Sequence, residues 1–355
     1  MNTFFKKITK PIITNFFIIF FFIVLIELIF GYWFDKDNLG YYMREHRMKN
    51  QPTVFNYQGE SYKYNYKRNY YGFRGEDIEP SNIEAIIMGG SNIDERYKPD
   101  EYTITGYLNK NLKKHKYNIN IINAGIEGQS TVGMIYNFKV WFSKLKNFSP
   151  KIILLYVGVN DLGLAEDWKP AKNILDGYGD GHVANPEKFE RIKDNIKSRS
   201  FILDSLRIFK FKYLPRKNFV KYDGNVDFGL ENDFNYISYE SAKEKYDIET
   251  LKKKYKEKIS IYLSRIDILY DSARKLNSNP IFITYADRRG HTEPLFMFNY
   301  SLISHCKIKK YHCIDMASKL KGKFIYWGDS AHTTKDGSEE IANLITGDLL
   351  DLLNN

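Results

Sequence analysis

The sequence predicts an α/β domain built on a doubly wound parallel sheet of about five strands, behind a single transmembrane helix. Three observations carry this. Apolar runs at Glu84–Met88, Ile119–Ile122, Ile152–Val157, Pro280–Tyr285 and Cys313–Met316 are continuous rather than alternating, the pattern of strands buried on both faces. Helical patterns at Glu101–Lys114, Thr131–Leu145, Thr250–Leu276 and Glu339–Leu353 lie between or after them. An almost wholly apolar stretch, Pro11 to Phe34, stands apart near the N-terminus. The 355 residues are 43% hydrophobic, enough for one large domain or two modest ones beyond that stretch.

Residues 1–34 are read as a cytoplasmic stub and signal anchor. Phe16 to Ile26 contains no polar residue, and about 20 apolar residues span a bilayer as a helix. Lys6, Lys7 and Lys10 precede the run, while Asp35, Lys36 and Asp37 follow it. The positive-inside rule then leaves the N-terminus in the cytoplasm and the rest of the chain outside, periplasmic or at the cell surface. A cleaved signal peptide needs small residues after its apolar core. Here Ile29-Phe30-Gly31-Tyr32-Trp33-Phe34 is bulky, so the anchor is expected to stay. Glu27, near the outer end beside Tyr32 and Trp33, is expected to snorkel to the interface.

Residues 35–80 are polar, Tyr-rich and irregular in pattern, and are expected to form a stalk or lead-in. The catalytic domain is expected over 81–355. Within it, residues 165–248 show no clear strand and carry Gly177, Gly179 and Gly181 among several aromatics. So long a departure from the strand–helix rhythm marks an insertion, read as a cap over the site.

The formal net charge is +10, but the lysines are scattered, apart from a cluster at Lys252–Lys258 in a helical pattern. No nucleic-acid motif accompanies them, so a nucleic-acid partner is not expected. A basic surface near an anionic membrane fits the charge better. The aromatic content, 16%, with abundant Lys and Asn, is read as genome composition first and as a sugar-binding surface second. Cys306 and Cys313 each follow a histidine, seven residues apart. The spacing differs from the tighter pairs usual in zinc sites, so no metal is expected. A disulfide and plain burial in the Tyr311–Met316 run both stay open. No cofactor is expected.

In a doubly wound sheet, ligands bind beyond the carboxyl ends of the strands. The residues there are Gly89-Gly90-Ser91-Asn92, then Asn123 to Ser130, then Gly158-Val159-Asn160-Asp161, and finally Asp329-Ser330-Ala331-His332. A serine at a strand-to-helix turn has an exposed hydroxyl and a backbone N–H at a helix start. It needs a base to become a nucleophile. His332 is that candidate, and Asp329, three residues earlier, can hold the imidazole tautomer. The N–H groups of Ser91 and Gly128 and the side-chain amide of Asn160 are candidate donors to an oxyanion. Asn92, Asp287 and Arg288 lie at the same sheet edge and are candidates for substrate contact. Asp161 is expected to be structural, and His182 and His291 to be surface loop residues.

These blocks resemble the SGNH, or GDSL-type, hydrolase family. Ser91 matches the nucleophile of its first block, and Gly128 matches the oxyanion glycine within Asn123-x-Gly125-x-x-Gly128-x-Ser130. Asn160 matches the asparagine of Gly-x-Asn-Asp, and Asp329 and His332 match the terminal Asp-x-x-His. Gly90 stands where the family usually has Asp, which is not a triad member. Tyr71-Gly72-Phe73-Arg74-Gly75 is similar to the lead-in of anchored members. The resemblance implies a three-layer α/β sandwich of flavodoxin-like order, and does not cover the anchor or the insertion.

The expected function is an extracytoplasmic serine esterase acting on an acyl ester, above all acetyl, of a cell-surface carbohydrate or on a small ester. One alternative is an O-acyltransferase that uses the same triad to modify a surface polysaccharide. Another is a non-catalytic binding or assembly protein on this fold. The sequence leaves the oligomeric state open.

Overall fold

The computed structural model describes residues 2–34, 49–162, 196, 199–214, 218–223 and 234–354. The chain divides into two compact units, one of residues 1–44 with 186–215, the other of residues 45–185 with 216–355.

In the first unit, helix α1 (Asn2–Phe30) contains a stretch, Pro11–Phe30, long and apolar enough to cross a membrane, with its side chains exposed. In the larger unit, strands β1 (Lys49–Tyr57) and β2 (Glu60–Arg68) form an antiparallel hairpin. Its two-residue turn has positive φ at both Gln58 and Gly59, the geometry whose twist matches a hairpin. Then follow β3 (Ala85–Met88), α2 (Ser91–Asp94), α3 (Ile104–Lys114), β4 (Ile121–Asn123), α4 (Thr131–Tyr136), β5 (Ile152–Tyr156) and α5 (Val159–Leu162). Helix α6 (Phe201–Tyr213) returns to the first unit. The remaining elements are β6 (Val220–Asp223), α7 (Tyr239–Lys245), α8 (Ile248–Lys254), α9 (Lys256–Lys275), β7 (Asn279–Ile283), α10 (Glu293–Lys309), β8 (His312–Ile314), α11 (Met316–Lys319) and α12 (Lys335–Asn354).

The central sheet has the order β4-β3-β5-β7-β8 and is parallel throughout, as the flavodoxin-like expectation requires. Alternate side chains enter opposite cores. Ile87, Leu154 and Ile283 face a core that includes Leu108 of α3 and Ile345 of α12. Ile86, Leu155 and Phe282 face one that includes Met134 of α4, Ile266 of α9 and Leu302 of α10. Both faces are covered, which is why the strands read as unbroken apolar runs.

Several expectations are corrected. Residues 49–68 are not irregular: they form the hairpin, and β1 also pairs in parallel with β6. The expected strand-free insertion contains that β6, whereas residues 199–214 group with the N-terminal helix. Most of the expected cap, including Gly177, Gly179, Gly181 and His182, lies outside the described residues. The pattern over Thr131–Leu145 is helical only to Tyr136, continuing as a π turn and a 3₁₀ turn. The pattern over Thr250–Leu276 is two helices meeting at Tyr255. Helix α10 was not foreseen, because Leu295, Phe296, Met297 and Phe298 are all buried and leave no polar face to give a period. Cys306 and Cys313 form a disulfide, with their Cα atoms 6.3 Å apart.

The lead-in is packed against the central domain. Arg68, 1% exposed, pairs with Asp94 at 3.1 Å, bonds the Gly72 carbonyl at 2.5 Å and also reaches the Gly125 carbonyl. Arg74 bonds Asp100 at 2.7 Å, the Lys98 carbonyl at 2.6 Å, and the Asp94 carbonyl. Both guanidiniums thus clamp the chain that follows β3. Removing one partner of a buried ion pair costs about 3–5 kcal/mol, because the other charge is left uncompensated. Arg68→Met should lower unfolding free energy by about that amount in a urea titration of the chain. A change below about 0.5 kcal/mol, the size usual for a surface substitution, would mean that 49–80 is a loosely attached stalk after all.

Candidate active site

Strand β3 ends at Met88, and Gly89-Gly90 turns the chain into α2, which begins at Ser91. The Gly90 carbonyl accepts from the amides of Ile93 and Asp94 at 3.0 Å each, closing that turn. Gly90 has an ordinary φ of −81°, so its need for glycine is spatial. A Cβ there would fall inside van der Waals contact with Nδ2 of Asn160 and lie 3.1 Å from the Gln129 carbonyl oxygen. An aspartate, usual at this position in the resembled family, has no room. Gly128, in the loop after β4, has φ +73°, a left-handed conformation that suits glycine.

Ser91 and His332 are 241 residues apart in sequence, and their side chains meet: His332 Nε2 lies 2.8 Å from Ser91 Oγ. His332 Nδ1 lies 2.7 Å from Asp329 Oδ2. Desolvation works against the charge of Asp329. The hydrogen bond from His332 and the amides of Ala331 and His332, at 2.8 and 2.7 Å, outweigh it and hold its carboxyl at about 2. An ionised carboxylate only accepts, so Nδ1 carries the imidazole proton and Nε2 is left to accept from the Ser91 hydroxyl. The geometry is that of a serine activated by a base whose tautomer is fixed. The pair is open to solvent, with side-chain exposures of 32% for His332 and 56% for Asp329.

Asn160 stands beside this serine. It donates through Nδ2 to the Gln129 carbonyl at 2.9 Å, and a primary amide has a second N–H to offer. The amide of Ser91 opens a helix, where no preceding turn supplies an acceptor. Ser91, Gly128, Asn160 and His332 therefore come from the ends of β3, β4 and β5 and from the loop before α12, at one edge of the sheet.

The other candidates sit differently. Asn92 is 3% exposed, and its Nδ2 donates to Tyr285 Oη at 3.3 Å. Asp287 is 4% exposed and accepts from the Arg289 amide at 2.8 Å; burial pushes its carboxyl up. Both are thus engaged within the fold. Arg288 donates its backbone N–H to the Ser330 carbonyl at 3.2 Å, beside the Asp329–His332 segment. Asp161 is structural, accepting from Thr131 and from Arg265 at 3.4 Å. His291 is not a surface residue: it is 2% exposed, bonded to the Ala317 carbonyl at 3.0 Å and packed against Tyr239 and Phe296.

The sequence pattern does not disclose the groups that hold the two halves together. Glu95 and Lys98 are wholly buried and ion-paired. The Lys98 ammonium also donates to the Thr333 carbonyl at 3.0 Å, to Thr333 Oγ1 at 3.1 Å and to Ser338 Oγ. Glu95 accepts from Thr333 and Ser338 at 3.2 and 2.7 Å, and from the Ile104 amide at 2.6 Å. Burial pulls the Lys98 ammonium below its usual range, and Glu95 opposes that pull. The chain just after Ser91 is thereby bolted to the chain just after His332. Tyr97, between Glu95 and Lys98 in sequence, sets its ring edge to face against His332 with centroids 5.2 Å apart, and Tyr222 of β6 lies 6.4 Å beyond.

No protein-family model and no curated protein matches this chain. Among solved structures it is similar to TesA, at 10% identity and a TM-score of 0.42, over 76% of this chain and 98% of that one. It is similar also to the psychrotrophic esterase EstA from Pseudoalteromonas sp., at 13% identity and a TM-score of 0.41, over 77% and 100% of the two chains. A variant of Axe2, an acetyl-xylooligosaccharide esterase from Geobacillus, gives 10% identity and a TM-score of 0.41, over 77% and 95%. Likenesses this distant transfer no chemistry, and what this site does rests on its own residues.

Gly90→Ala tests the packing of the turn that leads into Ser91. The added methyl displaces the Asn160 amide, and a misplacement near 1 Å at a site of this kind costs about 10²-fold in rate. Turnover on an ester should fall by roughly that factor while the circular dichroism spectrum and melting curve stay near the parent's. Full activity would show that the Asn160 amide does not depend on the space left by Gly90.

Proposed function

We propose that this chain is a serine ester hydrolase of the SGNH type. We propose further that α1 anchors it in a membrane, with the site outside the cytoplasm, and that its substrate is an acyl, above all acetyl, ester of a surface carbohydrate. The observation that carries the chemistry is the hydrogen-bonded run from Asp329 through His332 to Ser91.

In this reading Ser91 Oγ attacks the ester carbonyl while His332 Nε2 takes its proton. The tetrahedral oxyanion is met by the N–H groups of Ser91 and Gly128 and by the second amide hydrogen of Asn160. The imidazolium, steadied by the Asp329 carboxylate, returns the proton to the leaving alcohol. Water, activated by the same histidine, then releases the acyl group and restores Ser91. The open faces of His332 and Asp329 favour an ester carried on a bulky molecule. Lys6, Lys7 and Lys10, before the apolar stretch of α1, and the Cys306–Cys313 disulfide both support an extracytoplasmic site.

Steady-state kinetics on an aryl acetate, with acetate release from an acetylated polysaccharide measured alongside, tests this reading. Ser91→Ala should abolish both activities. Asn160→Ala should lose one oxyanion donor and about 10²–10³ in turnover, with the Michaelis constant little changed. A raised Michaelis constant with unchanged turnover would make Asn160 a substrate-binding residue instead. Activity retained by Ser91→Ala would remove the proposed mechanism.

A further inference from the structure

Glu27 is the one charged residue between Pro11 and Phe34, and snorkelling was its expected fate. The structure gives it partners. Its carboxylate accepts from the Ser200 hydroxyl at 2.6 Å and from the amides of Phe201 and Ile202 at 3.1 Å each. Trp33 Nε1 donates to it at 2.9 Å. It therefore caps α6, where a negative charge meets the unsatisfied first N–H groups and the positive end of the helix dipole. Phe30 and Phe201 meet with ring centroids 5.3 Å apart, and the Tyr32 amide donates to the Arg199 carbonyl at 2.8 Å. The first turn of α6 is thus fixed to the last turn of α1.

Ile202, Leu206, Phe209 and Tyr213 of α6 are spaced at four, three and four residues. At 3.6 residues per turn they fall within about 60° of arc, with Asp204 on the opposite side. Among the described residues nothing covers the outer part of this stripe: Leu206, Phe209 and Tyr213 are 57%, 53% and 67% exposed. A helix of 13 residues is about 20 Å long, too short to cross a bilayer beside α1. An exposed apolar stripe that starts at the outer end of a membrane-spanning helix meets lipid at the level of the headgroups.

We infer that α6 is an interfacial helix, lying in the outer membrane–water boundary with its Leu206–Phe209–Tyr213 stripe among the acyl chains. The inference rests on the membrane-spanning reading of α1. Glu27 is then a structural joint, and its cost in lipid is offset by the four hydrogen bonds that it receives. Continuity with α1 makes lipid the partner. The capping carboxylate and the Phe30–Phe201 contact make the surface of α6 an extension of the exposed apolar surface of α1.

The test uses the full chain with its disulfide intact, so that a single introduced cysteine is the thiol to be labelled. An environment-sensitive NBD dye is placed in separate preparations at Ile19→Cys, Asp204→Cys and Phe209→Cys. The proteins are reconstituted in phosphatidylcholine–phosphatidylglycerol vesicles with lipid carrying a nitroxide either near the headgroup or deep in the acyl chain. The dye at 209 should be quenched at least twofold more by the shallow nitroxide than by the deep one. The dye at 204 should be quenched at least twofold less than that at 209, and the dye at 19 should be quenched chiefly by the deep one. Quenching at 19 without quenching at 209 would overturn the inference and leave the span in place. A blue-shifted but unquenched dye at 209 would also overturn it, because protein, such as a second copy of the chain, would then cover the stripe. No quenching at 19 would overturn the span, and this inference with it.

Discussion

Ser91 and His332 come from distant parts of the sequence of the larger unit, and the buried Glu95–Lys98 pair is what joins them. Lys98 has no access to water, and an isolated buried ammonium would be far too costly to keep. It is tolerated because Glu95, Thr333, Thr334 and Ser338 surround it with acceptors. The same requirement fixes the path of the chain. Glu95 adopts a left-handed conformation, with φ at +41°, directly after the helix that starts at Ser91, and turns its carboxylate inward to the segment that follows His332. Hydrogen bonds 2.7 and 2.8 Å long across the Asp329–His332–Ser91 run depend on that registration.

The clamp is reinforced from below. Arg68 and Arg74 direct their donors to the carbonyls of residues 72, 94, 98 and 125, so the hairpin segment holds the chain around Ser91 and the loop after β4 together. A guanidinium suits this work because its fork reaches several carbonyls at once and keeps its charge when buried. The exposed face of the site is left to Asp329 and His332. The proposed base sits at the surface, where it would trade protons with substrate and water, on a scaffold that is dry underneath.

The central sheet was legible because its strands are buried on both faces and so announce themselves as apolar runs, and because a parallel sheet gathers its strand ends at one edge. That is how Gly89 to Ser91, Gly128, Asn160 and His332 could be brought together from sequence. The hairpin was not legible. Its Tyr, Lys and Asn residues alternate between a packed and a wet face, and Tyr66 and Arg68 count as polar until their partners are known. Helix α10 hid for a different reason: Leu295 to Phe298 are buried in succession, so its first turns present no polar face. Glu95 and Lys98, three residues apart with opposite charges, look like a solvated pair on an exposed turn. Their burial is decided by Thr333 and Ser338, some 240 residues on, and no local pattern carries that information. Asp287 misled similarly, since a charged run after a strand reads as an open loop until the turn that buries it is seen.

In the proposed function, Ser91 is a nucleophile activated through His332. The most direct measurement is covalent capture: treatment of the intact chain with a fluorophosphonate, followed by peptide mass spectrometry to find the modified residue. One phosphonyl adduct is expected, on Ser91, with strong suppression of labelling when His332 is replaced by alanine. An adduct on another residue, no adduct at all, or labelling of Ser91 at an undiminished rate without His332 would contradict it.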